Sequence, residues 1–255
     1  MENNIKKYVF ERFVKKFDKK KFNKALKEYE EIKAFNANQN INDIYPSGIS
    51  KEAHFIMRTV TQYYIQKAFE AMRVNLDDPN VKEDLENGNI GSPGRIAKIW
   101  VGKDPEDYSE LGSGRWTKKP RLAKFPNTHK DKFIITKRVD IISNCSHHFI
   151  PFSTLVRSDS YAIISYIPDK FVLGISKLQR LTNWISRRFF LQEDLTRMLY
   201  EEISKAAETE SVYIKLFNLV HGCEVFRGVQ SSEGAFTSEY FGGDFKDINL
   251  RNQIK

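Results

Sequence analysis

Residues 176–209 read "SKLQRLTNWISRRFFLQEDLTRMLYEEISKAAET", and their periodicity decides the fold class. Apolar residues recur at helical spacing over a length that suits two helices. On either side the period changes. "KFIITKRVDII" (132–142), "SYAIISYIP" (160–168) and "FVLGI" (171–175) precede the stretch, and "SVYIKLFNLV" (211–220) follows it. All four are rich in β-branched and aromatic residues and read as strands. Strands, then helices, then a strand imply an α+β fold, an antiparallel sheet with two helices on one face.

Upstream the pattern is helical. Phe10, Phe13, Val14 and Phe17 repeat at i, i+3, i+4, i+7, and so do Phe22, Ala25, Leu26 and Tyr29. Residues 1 to about 35 therefore read as two short amphipathic helices with lysines on their other faces. The lysine-rich arm (1–45) is read as packed on one side and solvated on the other, in preference to a nucleic-acid-binding arm. "NANQNINDIYPSG" (36–48) has the composition of a linker. Ser50 suits the cap of a helix from about 51 to 74, with Ala53, Ile56, Met57, Val60, Tyr64 and Ala68 on one stripe. "SPGRIAKIW" (92–100) places Pro93 near the start of a short helix, where its missing N–H does no harm. Residues 102–130 lack a clear period and read as a long loop. Three regions result: the arm 1–45, a helical region with that loop (46–130), and a sheet-bearing domain (131–255).

A chain of 255 residues buries a sizeable core, and no apolar run approaches the length of a membrane span. The start, "MENNIKKYVF", has no apolar stretch of the kind an export signal needs, so the two cysteines read as reduced thiols of a cytoplasmic protein. The net charge is +8, half of it in residues 1–45, where ten lysines and one arginine face seven acids. Such an excess fits nucleic acid, a membrane surface or a phosphorylated small molecule, and charge alone does not choose among them.

The chemistry gathers in two windows. "ISNCSHHFIPF" (142–152) and "LVHGCEVFRG" (219–228) hold both cysteines and three of the five histidines. Cys145-x-x-His148 has the spacing of a two-ligand turn, and Cys223 could supply a third ligand. In extended backbone, residues two apart project to one side, so His221 is expected beside Cys223. His147 adds another imidazole. Three ligands leave a fourth position open, as in catalytic zinc sites, whereas structural sites close with four. A lone C-x-x-H would fit a buried cysteine with unrelated histidines equally well. The joint clustering favours a metal.

Taken in order, "SPGRIAK" (92–98), "CSHHFIPF" (145–152), "GISKLQR" (174–180), "LQEDLT" (191–196), "HGCEVFRG" (221–228) and "TSEYFGGDF" (237–245) make the chain resemble the type I GTP cyclohydrolases from about residue 50 to 245. The resemblance implies the tunnelling fold, preceded by an N-terminal helical region, in a cytoplasmic homo-oligomer. Family members are often decamers of two pentameric rings, with active sites between subunits. It further implies that Cys145, His148 and Cys223 bind Zn2+, that His147 and His221 are catalytic, and that Gln192, Glu193, Ser176, Lys177, Arg180, Arg227 and Arg95 bind GTP. The family's reaction opens the imidazole ring of GTP at C8, releases formate and forms 7,8-dihydroneopterin triphosphate. That product enters folate, tetrahydrobiopterin or 7-deazaguanine synthesis.

The residue types suit these roles. A histidine near its natural pKa can protonate N7 and ease attack at C8, a role the likeness gives to His221. An ionised Glu193 only accepts hydrogen bonds, matching the N1–H and exocyclic amine of guanine. Its bland alternative is a solvated helix turn paired with Arg197 at i+4. Lys177 and Arg180 share one face at a helix start and, with Arg227 and Arg95, form a triphosphate cradle. Taken singly, each would be a surface cation.

The chain departs from the family at Ser146, where the family has glutamate, and in the 1–45 arm and the 102–130 loop. Ser146 keeps open a related tunnelling-fold enzyme of another purine or pterin, or an inactive homologue. A basic zinc-containing nucleic-acid-binding protein would explain the charge and the metal, but not the two spare histidines or the Gln-Glu pair.

Overall fold

In the computed structural model, which describes residues 1–36, 40, 44, 48–228, 230–231 and 234–254, the Ser50 cap is made. Its Oγ accepts the Ala53 N–H at 3.1 Å while its own hydroxyl donates to Glu28 at 2.6 Å. Most of the 36–48 linker reading falls outside the described residues.

The first unit, Met1–Lys118, is helical. It contains α1 (Asn3–Phe13), α2 (Phe22–Asn36), α3 (Lys51–Ala71) and α4 (Gly91–Val101), with α1, α2 and α4 each packed on α3. Its core joins Ile5, Val9 and Phe13 to Phe22, Ala25, Ile56 and Val60. The buried stripe of α1 is thus i, i+4, i+8 from Ile5, and Val14 is exposed. The helix stops at Phe13, and Phe17 then folds back onto Phe13 and Phe55 at centroid distances of 5.1 and 5.5 Å. Pro93 lies in the first turn of α4, as its missing donor requires.

Buried His54 of α3 is tied to α4. Its Nε2 lies 3.1 Å from the carbonyl oxygen of Val101, so the ring donates there. Burial pushes its pKa down from 6.5 to about 4. In the unfolded chain the same ring gains its proton near pH 6.5, so stability is full above that value and falls as pH drops towards 4. The slope is about 1.4 kcal/mol per pH unit, giving a loss of roughly 3 kcal/mol by pH 4. Urea unfolding between pH 7 and 4 is expected to show this extra slope in the wild type and to lack it in His54→Gln. Parallel slopes in the two proteins would refute it.

The second unit, Lys119–Lys255, carries the sheet. Its strands are β1 (Lys124–Pro126), β2 (Ile135–Val139), β3 (Ile142–Cys145), β4 (Pro151–Ser153), β5 (Tyr161–Tyr166), β6 (Phe171–Leu173), β7 (Phe189–Phe190), β8 (Val212–His221) and β9 (Phe236–Phe241). Its helices are α5 (Ile175–Ser186), α6 (Gln192–Ala207), α7 (Gly222–Val225) and α8 (Ile248–Asn252). β1 and β6 form a two-stranded ribbon; the main sheet runs β2-β5-β8-β4-β3-β7, with β9 also on β8. All pairings are antiparallel except β3 with β7.

α5 and α6 pack on each other and on the sheet, α5 against β2 and β3, α6 against β8 and β9. Their inward faces are Leu178, Leu181 and Ile185, and Leu195, Leu199 and Ile203, all buried at helical spacing. This is the α+β tunnelling fold, with helices before it. The 132–142 stretch divides into β2 and the start of β3, because Asp140 and Ile141 leave the ladder: Asp140 N–H donates to Gln179 Oε1 and Ile141 N–H to Thr154 Oγ1, both at 2.9 Å. The expected 102–130 loop contains a 3-10 turn, Ser113–Arg115, and strand β1. Three-residue elements leave no period to read. Among the described residues, no helix is long and apolar enough to cross a membrane.

Candidate metal centre and active site

Strand register brings the two cysteine windows together. β3 and β4 form a hairpin in which Cys145 N–H donates to Ile150 O at 3.0 Å and Phe149 N–H to Cys145 O at 2.9 Å. Phe149 turns the chain with φ 56°. β4 then pairs with the end of β8, Phe152 opposite His221. The chain leaves extended geometry at Gly222 and enters the single turn α7, which carries Cys223. Gly222 is demanded by crowding: a Cβ there would stand 2.4 Å from Ile150 Cγ2 and 3.0 Å from Pro151 O. Bare backbone at this point lets α7 press against the Cys145 hairpin.

The result is a three-ligand cluster. One donor atom from each of Cys145, His148 and Cys223 lies within 4.8 Å of the others, and both cysteines are free thiols. Two sulfurs and an imidazole nitrogen at that spacing can close on a cation at ligand distances of about 2.0–2.3 Å. Burial, with the nearby Cys145, pushes the Cys223 thiol up. Two crowded sulfurs become thiolates readily only with a cation between them, which is the chemistry this donor set fits. The Arg227 guanidinium contacts His148 Nε2, and desolvation, Arg227 and His147 pull the His148 pKa down, in the direction of the neutral imidazole.

His147 is exposed, its ring 6.0 Å from that of His148. His221 is half-buried; because α7 begins at Gly222, it does not share a strand face with Cys223 but turns to Gln192 instead. Its Nε2 lies 2.7 Å from Gln192 Oε1, and its ring stacks on Phe152 at 4.6 Å and 11°. Burial lowers its pKa, while Glu224 and Glu193 pull it partly back.

Glu193 is exposed in the first turn of α6 and makes no hydrogen bond or ion pair among the described residues. Arg197 pairs instead with Asp194 at 3.8 Å and Glu201 at 3.3 Å, so the bland pairing of Glu193 is not formed. Ser176, Lys177 and Arg180 occupy the start of α5, and none has an acidic partner among the described residues. Arg95 belongs to the first unit, where it donates to Asn89 Oδ1 at 3.0 Å. Ser146 donates its backbone N–H to Phe190 O at 3.2 Å. The cluster thus unites Cys145, His148, Cys223 and Arg227, with a second pair in His221 and Gln192. Sequence reasoning missed the stacking of Phe152 on His221 and the contacts of Ser238 with Gln192 and Thr196, at 3.0 and 2.6 Å. The tail motif containing Ser238 was visible, but not the register that lays β9 beside Gln192.

The chain matches the family model described as GTP cyclohydrolase I over residues 68–255. It is 34% identical over 174 residues to the GTP cyclohydrolase 1 of Blochmanniella pennsylvanica, covering 67% of this chain and 73% of that protein. Against the GTP cyclohydrolase 1 of Flavobacterium johnsoniae the identity is 28% over 191 residues, covering 74% and 76%. The Wigglesworthia glossinidia brevipalpis protein of the same name is 29% identical over 184 residues, covering 72% and 76%.

Proposed function

The chain belongs to the GTP cyclohydrolase I family, and from that premise we propose that it is a zinc-dependent hydrolase that opens the imidazole ring of GTP at C8, releasing formate and forming 7,8-dihydroneopterin triphosphate. The observation that carries the reading is the convergence of the Cys145, His148 and Cys223 donor atoms within 4.8 Å. These three residues would hold the ion, which supplies Lewis acidity and a nucleophile available at neutral pH.

The protein's own groups do the rest. His221, whose pKa burial lowers, takes up a proton and passes it to N7, making C8 more electrophilic. Exposed His147 serves proton transfers on the solvent side. Glu193, which makes no hydrogen bond or ion pair among the described residues, is placed to accept the two guanine donors, with Gln192 as its neighbour in the turn. Lys177 and Arg180, beside Ser176 at the α5 start and without acidic partners among the described residues, suit the triphosphate, and Arg227 is a further cation for it, while Arg95 joins that set by the family resemblance alone. Arg227 reaches an anionic ligand by leaving His148. A homo-oligomer with shared active sites is consistent with β9, an edge strand among the described strands, with Phe236 and Phe241 exposed.

The test is one incubation of zinc-loaded protein with GTP, following formate and the fluorescence of oxidised neopterin product. Equal release of both is expected. No turnover with metal content confirmed would overturn the proposal and favour an inactive homologue in which Ser146 replaces the family glutamate.

A further inference from the structure

The hydrogen bonds around Gln192 can be given directions one at a time. The backbone oxygen of Phe236 only accepts, so the Gln192 atom 3.1 Å from it is the amide nitrogen. That nitrogen also lies 3.0 Å from Ser238 Oγ. Thr196 Oγ1 stands 2.8 Å from the Gln192 backbone oxygen, again an acceptor only, so the Thr196 hydroxyl donates there. The 2.6 Å contact between Thr196 and Ser238 must then run from the Ser238 hydroxyl to Thr196 Oγ1. This leaves Ser238 Oγ as the acceptor for the Gln192 amide. With both amide protons engaged, Oε1 faces His221, and the 2.7 Å contact is donated by the His221 Nε2–H.

We propose that Thr196 and Ser238 are positioning residues that act through Gln192 to hold the His221 ring with its Nε2–H donated to Gln192 Oε1, leaving Nδ1 as the nitrogen available to substrate. The role in proton exchange rests on the function proposed above; the tautomer does not. Gln192 and Thr196 are each only 1% exposed, so water does not compete for their bonds. A flipped Gln192 amide would set N–H against N–H at His221 and oxygen against oxygen at Phe236. The Phe152 stack fixes the ring plane, so His221 does not tilt out of it to relieve such a clash. β9 thereby reaches the site indirectly, through Ser238, although its side chains are mostly exposed.

The experiment reads the ring nitrogens of zinc-loaded protein labelled with 15N-histidine, His221 being assigned by its absence in His221→Asn. In the wild type the proton is expected on Nε2. In Ser238→Ala and in Thr196→Val it should spread over both nitrogens, and kcat should fall about tenfold with KM within about twofold. Ser238→Thr and Thr196→Ser should restore the wild-type pattern. An unchanged Nε2–H signal in both disruptive variants, or conservative variants no better than the disruptive ones, would overturn the proposal. The tautomer is read without nucleotide, so failure of GTP turnover in the wild type counts against the activity and leaves the tautomer result standing.

Discussion

Cys223→Ser is expected to lose bound zinc and, with it, formate release from GTP by on the order of a thousandfold or more. Serine's hydroxyl does not ionise near neutrality, so Cys145 and His148 would be left as a two-ligand site. Cys223 is the better position to change because it is half-buried, whereas Cys145 lies in the core. It also sits in a one-turn helix that makes little of the packing. Ligand binding to the native state alone raises stability by RT ln(1 + [L]/Kd), so a chelator should lower the melting temperature of the wild type and leave the variant unmoved. Metal analysis after dialysis, a melt with and without chelator, and the formate assay make three independent readings. Retention of one zinc per chain by the variant would place the ion elsewhere.

The helical half of the fold was open to reading because its signals are local. Ser50 is followed by a stripe whose Ala53, Ile56, Met57 and Val60 are buried, whereas its last members, Tyr64 and Ala68, are exposed and the buried face passes to Ile65. The two helices after Gly174 show the same spacing, with Leu178, Leu181 and Ile185 inside. Strand signals were partial. β5 and β8 announce themselves as apolar runs, whereas β4, β7 and β1 are two or three residues long and exist through their partners. Nothing local in "RRFF" says that Phe189 and Phe190 will lie parallel to the strand that ends in Cys145.

The same divide runs through the site. Cysteine and histidine are scarce enough that two windows stood out, and the structure brings those windows together at three donor atoms within 4.8 Å of one another. The placement of His221 did not follow, since the projected alternation assumed that β8 continued to Cys223. Gly222 ends the strand because the neighbouring hairpin leaves no room for a Cβ, a tertiary fact without a sequence signature. Thr196 and Ser238 were hidden for a related reason. Their hydroxyls matter only once α6 and β9 are side by side, 42 residues apart in the chain.

Glu193→Gln is expected to lower kcat/KM for GTP by roughly a hundredfold while leaving the melting temperature unchanged. The acid makes no hydrogen bond or ion pair among the described residues, so its replacement breaks no such contact in the free enzyme. Two charge-assisted bonds to the N1–H and exocyclic amine of guanine would become one neutral bond and one donor–donor clash. Bonds to a charged group contribute about 1.5–3 kcal/mol each, which supports a hundredfold change. A second nucleotide separates this role from a general electrostatic one. Inosine triphosphate keeps N1–H and lacks the amine, so the wild type should prefer GTP over it, and the variant should lose most of that preference. A like loss towards both nucleotides would mean that Glu193 acts through the charge of His221, which it helps to raise. Retention of kcat/KM within about twofold of wild type would remove Glu193 from the site altogether and return it to the surface of α6.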